Sequence, residues 1–191
     1  MTDTAVVETG NKIDIRSLSL PELETLFASW GEPRFRCKQV YEWLWSKAVA
    51  DFDSMSNLSK DLRAKLKEHF TLDPLFEEKT QHSDDGTIKT RWMTHVGHRI
   101  ESVLIPVPDD ERYTVCVSTQ VGCSLTCTFC ATGRMGRKRN LSAGEIFDQV
   151  TGVNKQSIHS FGRSLSNVLY MGMGEPLLTY ANTMESIARL T

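Results

Sequence analysis

The sequence lacks any long apolar run. None of its 191 residues sits in a stretch near the ~18 apolar positions that a membrane-spanning helix needs, so no helical span is predicted. The opening residues, MTDTAVVETGNK, carry neither the positive n-region nor the apolar h-region of a secretory signal. A cytoplasmic protein without a membrane partner is the expectation. Neither sign of charge dominates, because 22 Lys+Arg stand against 24 Asp+Glu for a net charge of −2. That balance does not demand a nucleic-acid partner, nor exclude one, since a local basic patch is enough. Internal repeats and low-complexity tracts are absent. With 40% apolar and 24% charged residues the composition is that of a globular protein, which argues against disorder, collagen and coiled coil. The length allows one or two domains.

Cysteine is scarce and oddly placed. There are five, Cys37, Cys116, Cys123, Cys127 and Cys130. An odd number with three crowded together makes a poor disulfide framework. In a reducing compartment such a cluster reads as metal-binding or catalytic. The histidines at 69, 82, 95, 98 and 159 show no ligand spacing.

Residues 1–12 read as a mobile polar tail. Residues 13–72 read as a small helical domain. Ser19 and Glu22 have capping-box spacing, and Leu20, Leu23, Phe27 and Trp30 recur at helical intervals before Gly31. Residues 36–47 put Val40, Trp43, Leu44 and Lys47 on one stripe, with Trp43 and Trp45 expected to pack. Cys37 on that helix is expected to be packing. Ser59 opens a third helix, with Leu62, Leu66, His69 and Phe70 on one side. Residues 73–110 form a β linker segment, with strands at 87–93 and 99–105 and a hairpin-type turn at Asp84-Asp85-Gly86. From 111 the pattern becomes α/β: a strand at Tyr113–Ser118, a cysteine-rich loop, a helix capped by Ser142 and Glu145 running to about Lys155, a buried parallel strand over Asn167–Met171, a GMGEP turn, and a helix over 181–190.

The cysteine loop is Cys123-Ser-Leu-Thr-Cys127-Thr-Phe-Cys130. Three thiolates on one loop leave a four-iron cluster with one iron lacking a protein ligand, open to a cofactor. Zinc, with a further histidine or water, is the other metal this set would take. Gly172-Met173-Gly174-Glu175-Pro176 is a tight turn after a strand. A dinucleotide fingerprint fails, because its third glycine would fall at Leu177, and no phosphate-binding G-x-x-x-x-G-K-[ST] loop is present. Glu175 offers an acceptor for a cation.

The C-x3-C-x2-C spacing, with Phe129 before the last cysteine, resembles the signature of the radical S-adenosylmethionine (SAM) superfamily. The longer stretches VSTQVGCSLTCTFCATG and GMGEPLL, with RCKQVYEWLW and IESVLIP upstream, resemble the RlmN/Cfr family of ribosomal RNA adenine methyltransferases. The resemblance runs from about residue 13 to the end. It lies nearer the branch that methylates C2 of adenine in 23S rRNA and tRNA than the branch that methylates C8.

The resemblance implies a fold and a set of roles. The fold class would be α/β, the N-terminal half of a radical SAM partial (β/α) barrel preceded by a small helical domain and a short β segment. Cys123, Cys127 and Cys130 would hold a 4Fe–4S cluster. Gly174, Glu175 and Phe129 would serve SAM binding. Cys116 would be the resolving cysteine, which forms a disulfide as product leaves. Glu101 would be the general base, on a strand face where burial would raise its pKa. The family methylates through a methyl-cysteine near its C-terminus, with 23S rRNA and tRNA as partners and a flavodoxin-like or ferredoxin-like one-electron reductant. A monomer is expected. Arg134, Arg137, Lys138 and Arg139 would hold RNA phosphates beside the site.

The family pattern stops short here. Only 68 residues follow Cys123, and no cysteine follows Cys130. One βαβ unit takes roughly 30 residues, so these cannot close a barrel. The expectation is a C-terminally truncated piece, inactive as a methyltransferase by itself. A zinc-binding RNA module and a different radical SAM enzyme, such as an activase for glycyl radicals, are the competing readings.

Overall fold

The computed structural model describes residues 12–191, and the chain divides after Asp73 into two units. The tail expected over 1–12 lies outside the described residues except for Lys12, whose Nζ donates to the Lys67 carbonyl at 2.7 Å.

In the first unit β1 (Ile13–Asp14) pairs in parallel with β2 (Phe70–Thr71), tying the two ends of the unit together. Between them run α1 (Leu20–Ser29), α2 (Arg34–Trp45) and α3 (Lys60–His69). The start of α1 is set by its capping box, in which the Ser19 N–H donates to the Glu22 carboxylate at 2.8 Å. Ser59 caps α3 by accepting from the Leu62 N–H at 3.2 Å. Leu23, Phe27, Cys37, Val40, Leu44, Leu62 and Leu66 form the buried core. Cys37 packs there as expected, and burial pushes its thiol up to about 11. Trp43 corrects the packing expectation. It is only half-buried, its Nε1 donates to Asn57 Oδ1, and the Lys47 ammonium sits 3.8 Å from its ring centroid. Trp45 is buried, as expected.

The second unit is built on a sheet of β3 (Phe76–His82), β4 (Ile88–Met93), β5 (Arg99–Val107), β6 (Arg112–Cys116) and, after an interruption, β9 (Asn167–Leu169). The spatial order is β3-β4-β5-β6-β9, antiparallel up to β6, with β9 parallel to β6. The interruption holds β7 (Gln120–Val121), which pairs with β8 (Arg139–Asn140), and α4 (Ala143–Phe161). The chain closes on α5 (Tyr180–Leu190). Segments 74–110 and 111–191 thus share one sheet. β3 escaped the sequence reading because FEEKTQH shows no apolar alternation. It is a strand through its pairing with β4 across the Asp84-Asp85-Gly86 turn, where Gly86 takes φ +83.

Alternation along β5 gives the sheet two faces. Ile100, Ser102 and Leu104 point one way and are buried. They join Trp92, Val115 and Val117 in a core completed by Ile146, Val150 and Val153 of α4. Glu101, Val103 and Ile105 point the other way, toward the face opposite α4, and Ile105 stays exposed. The register sets Cys116 opposite Val103 and Leu169, on this open face.

Two expectations shift. α4 runs past Lys155 to Phe161, whose ring meets Tyr113 at 5.5 Å, and ends at Gly162 in the left-handed region. The strand expected to be buried over Asn167–Met171 is β9. It is parallel as expected but shorter and partly exposed, because it has β6 on one side only and Leu169 lies on the open face.

Helix and sheet meet closely at Gly152 of α4, where a Cβ would lie 2.5 Å from Cη2 of Trp92. Trp92 cannot easily retreat, since its Nε1 donates to the buried Ser102 Oγ at 2.6 Å. Gly152→Ala is expected to cost about 1–3 kcal/mol through overpacking, read as a lower thermal midpoint with the fold retained. An unchanged midpoint would contradict this packing.

Candidate functional site

The site is organised by the segment that leaves β6. Val117, Ser118, Thr119 and Gln120 are all buried, three of them polar, so their hydrogen bonds must be made inside the protein. On one side the Val117 N–H donates to the Leu169 carbonyl at 2.8 Å and the Gly172 N–H to the Val117 carbonyl at 3.0 Å. The Thr119 and Gln120 N–H groups then both donate to the Met173 carbonyl, at 2.8 and 3.1 Å. On the other side the Leu141 N–H donates to the Thr119 carbonyl at 2.9 Å. Gln149 of α4 reaches Ser118, accepting from its N–H at 2.8 Å and donating to its carbonyl at 3.0 Å. Ser118 Oγ donates to the Glu101 carbonyl at 2.6 Å and accepts from the Met173 N–H at 2.9 Å. The GMGEP turn is therefore fastened along the strand that launches the cysteine loop.

This fastening gives the turn's glycines a local reason. A Cβ on Gly172 would lie 2.7 Å from the Val117 backbone, and one on Gly174 would lie 2.6 Å from Gln120 Cβ. Gly174 also takes φ +100, a conformation that disfavours a side chain. Glu175 accepts from the Leu177 N–H at 3.2 Å and caps the short turn that follows.

The cysteine loop stands at the surface. Cys127 is exposed, Cys123 and Cys130 are half-buried, and Phe129 is 91% exposed. Gly133 lets the loop fold on itself, since a Cβ there would lie 3.2 Å from the Cys127 nitrogen. Backbone hydrogen bonds from Gly133, and then Thr132, hold the Cys130 thiol below its ordinary pKa. Among the described residues no three His, Cys, Asp or Glu side chains are gathered as a metal site. The donor set is three thiols on one loop with no carboxylate or histidine between them. That chemistry fits a thiolate-bound metal centre, an iron–sulfur cluster included.

Cys116 and Glu101 share the open face. The pairing of Cys116 with Val103 puts them one step apart on neighbouring strands. Burial pushes the Cys116 thiol up, and a backbone hydrogen bond from Met171 partly offsets this. All five cysteines are free thiols. The expected burial of Glu101 is corrected. Its side chain is 40% exposed and pairs with Lys89 at 2.8 Å, because α4 covers the opposite face of β5. The basic run is also divided. Arg139 is engaged with the buried Glu145 carboxylate at 2.6 and 2.7 Å, and Arg134, Arg137 and Lys138 stay exposed. Sequence reasoning missed Ser118, Gln120 and Gln149. The signal was the polar run Ser-Thr-Gln directly after an apolar strand.

The thiol environments set an order of reactivity. With no metal added, near pH 8, Cys130 is expected to alkylate ahead of Cys116, and Cys37 last, because only the thiolate reacts and only Cys130 is shifted toward it. Mass spectrometry of iodoacetamide-treated protein reads the order, and Cys37 or Cys116 reacting first would contradict it.

Residues 13–72 match the family described as the ribosomal RNA large subunit methyltransferase N-terminal domain. A protein of Cytophaga hutchinsonii named probable dual-specificity RNA methyltransferase RlmN is 49% identical over 93% of this chain and 48% of its own length. A protein of Thermotoga neapolitana with the same name is 48% identical over 91% of this chain and 49% of its own. The crystal structure of a radical SAM methyltransferase from Sphaerobacter thermophilus superposes with a TM-score of 0.81 at 44% identity, over 93% of this chain and 52% of that one. The chain spans about half the length of the curated relatives it matches. Over more than nine tenths of its length, this chain is thus related to the proteins named dual-specificity RNA methyltransferase RlmN and to a radical SAM methyltransferase of known structure.

Proposed function

We propose that the chain is the cofactor-binding part of a radical SAM methyltransferase acting on RNA. Cys123, Cys127 and Cys130 bind a 4Fe–4S cluster, and Gly174 and Glu175 of the GMGEP turn seat the amino-acid end of SAM, with Phe129 beside the cluster. The observation that carries this reading is the junction at Met173, whose carbonyl takes both the Thr119 and Gln120 N–H groups and so lays the turn against the base of the cysteine loop. Bound together, cluster and SAM supply one-electron cleavage and a carbon radical.

The remaining chemistry belongs to the chain's own side chains. Three thiolates leave one coordination place unfilled by protein, which is where a cofactor enters. The Glu175 carboxylate offers Oε2 to an ammonium while Oε1 caps the following turn. Glu101 and Cys116 face the same side of the sheet, flanked by Val103, Ile105 and Leu169. There the Glu101 carboxylate takes a ring proton and the Cys116 sulfur resolves the protein–substrate adduct. The target is C2 of an adenine in 23S rRNA and in tRNA, flipped from its stack to reach this face. Arg134, Arg137 and Lys138 offer phosphate contacts next to the cysteine loop. The sheet from β6 onward is the start of the partial (β/α) barrel. A flavodoxin-like or ferredoxin-like protein supplies the electron, and the setting is the cytoplasm, with the protein a monomer.

The methyl-cysteine carrier of the family has no counterpart after Cys130. These 191 residues are therefore proposed to be inactive in methyl transfer on their own.

Anaerobic reconstitution with iron and sulfide is expected to load about four irons and as many sulfides per chain, and Cys127→Ala to abolish the loading. Zinc bound without sulfide would overturn the cofactor reading. In the same preparation, radiolabelled methyl from SAM is expected not to reach 23S rRNA. Label in the RNA would refute the argument from the missing carrier.

A further inference from the structure

Gln120 joins the two loops of the proposed site through its side chain, and the cofactor reading gives it no role. It is 1% exposed. Its amide oxygen accepts from the Ser124 N–H at 3.0 Å and from the Glu175 N–H at 3.3 Å. Its amide nitrogen donates to Ser124 Oγ at 2.9 Å and to Asn140 Oδ1 at 2.9 Å. A glutamine amide has two donor hydrogens and two acceptor lone pairs, so both ends are in use.

The partners come from three separate segments. Ser124 follows Cys123, Glu175 lies in the GMGEP turn, and Asn140 belongs to β8. Gly174 presses on the same side chain, since its missing Cβ would sit 2.6 Å from Gln120 Cγ. The turn is thus shaped to receive this residue. An apolar side chain of similar length would fill the space and leave the Ser124 and Glu175 N–H groups and the Asn140 amide without this partner.

We propose that Gln120 is a positioning residue that fixes the cysteine loop against the GMGEP turn, so that a ligand seated on one is felt by the other. This rests on the reading of loop and turn as one cofactor site. Side-chain amides suit the task because a single neutral group both donates and accepts.

Hydrogen–deuterium exchange on the cofactor-free chain, wild type against Gln120→Met, tests the joint directly. The peptides carrying Ser124 and Glu175 are expected to exchange together about tenfold faster or more, while those of α4 keep their protection. After reconstitution, the variant is expected to hold wild-type iron but bind SAM about tenfold more weakly. Asn140→Ala, which removes one partner and leaves the rest, is expected to move both peptides the same way by a smaller factor. It decides the matter if Gln120→Met does not fold. Loosening of one loop alone, or of neither, overturns the proposal, as does wild-type SAM affinity once both loops have loosened. A wild-type chain that takes up no iron overturns the cofactor reading and, with it, the coupling. Exchange measured without cofactor keeps these two failures apart.

Discussion

Three polar residues in a row, Ser118, Thr119 and Gln120, are buried just after β6 ends. Burying polar groups costs a few kcal/mol each unless they are hydrogen-bonded. The strand has run out of partners in the sheet by that point, so they are supplied by other parts of the chain. Gln149 comes from α4, Met173 and Glu175 from the GMGEP turn, Ser124 from the cysteine loop and Asn140 from β8. The hydrogen bonds of this segment's backbone and of the Ser118 and Gln120 side chains draw the site together, while the Thr119 hydroxyl is buried with no partner among the described residues. The two sequence motifs lie more than forty residues apart, and a shared need for hydrogen bonds makes them neighbours.

The sheet then divides the labour. One face, with Ile100, Leu104, Val115 and Val117, is covered by α4 and supplies the hydrophobic stability. The other presents Glu101, Val103, Cys116 and Leu169, half-buried or exposed. The two proposed catalytic groups thus sit on the face that the core does not need. Lys89 beside Glu101 shows the consequence, since a carboxylate on this face meets a cation and water rather than a dry pocket.

Much of this was legible beforehand, and for identifiable reasons. The capping boxes at Ser19 and Ser142 named two helix starts, because that interaction is local in sequence. The alternation in IESVLI marked β5, and its side-chain period put Glu101, Val103 and Ile105 on one face. Burial of Glu101 was misjudged because a period tells which residues share a face, not which face the helix covers. β3 was invisible because FEEKTQH is polar after Phe76, shows no alternation and depends on its neighbour. Cysteine spacing singled out the loop as a candidate metal site, while Gln120 and Gln149 went unnoticed because their hydrogen bonds exist only through partners distant in sequence. Arg139 looked like its basic neighbours until Glu145 was placed beside it.

Central to the account is that the cysteine loop and the GMGEP turn act as one cofactor site. Electron paramagnetic resonance of the anaerobically reconstituted, reduced chain, with and without SAM, tests this most directly. The expected result is a reduced 4Fe–4S signal whose g values shift when SAM is added. A cluster signal that SAM leaves unchanged would contradict the joint site, whatever the loop and the turn do separately.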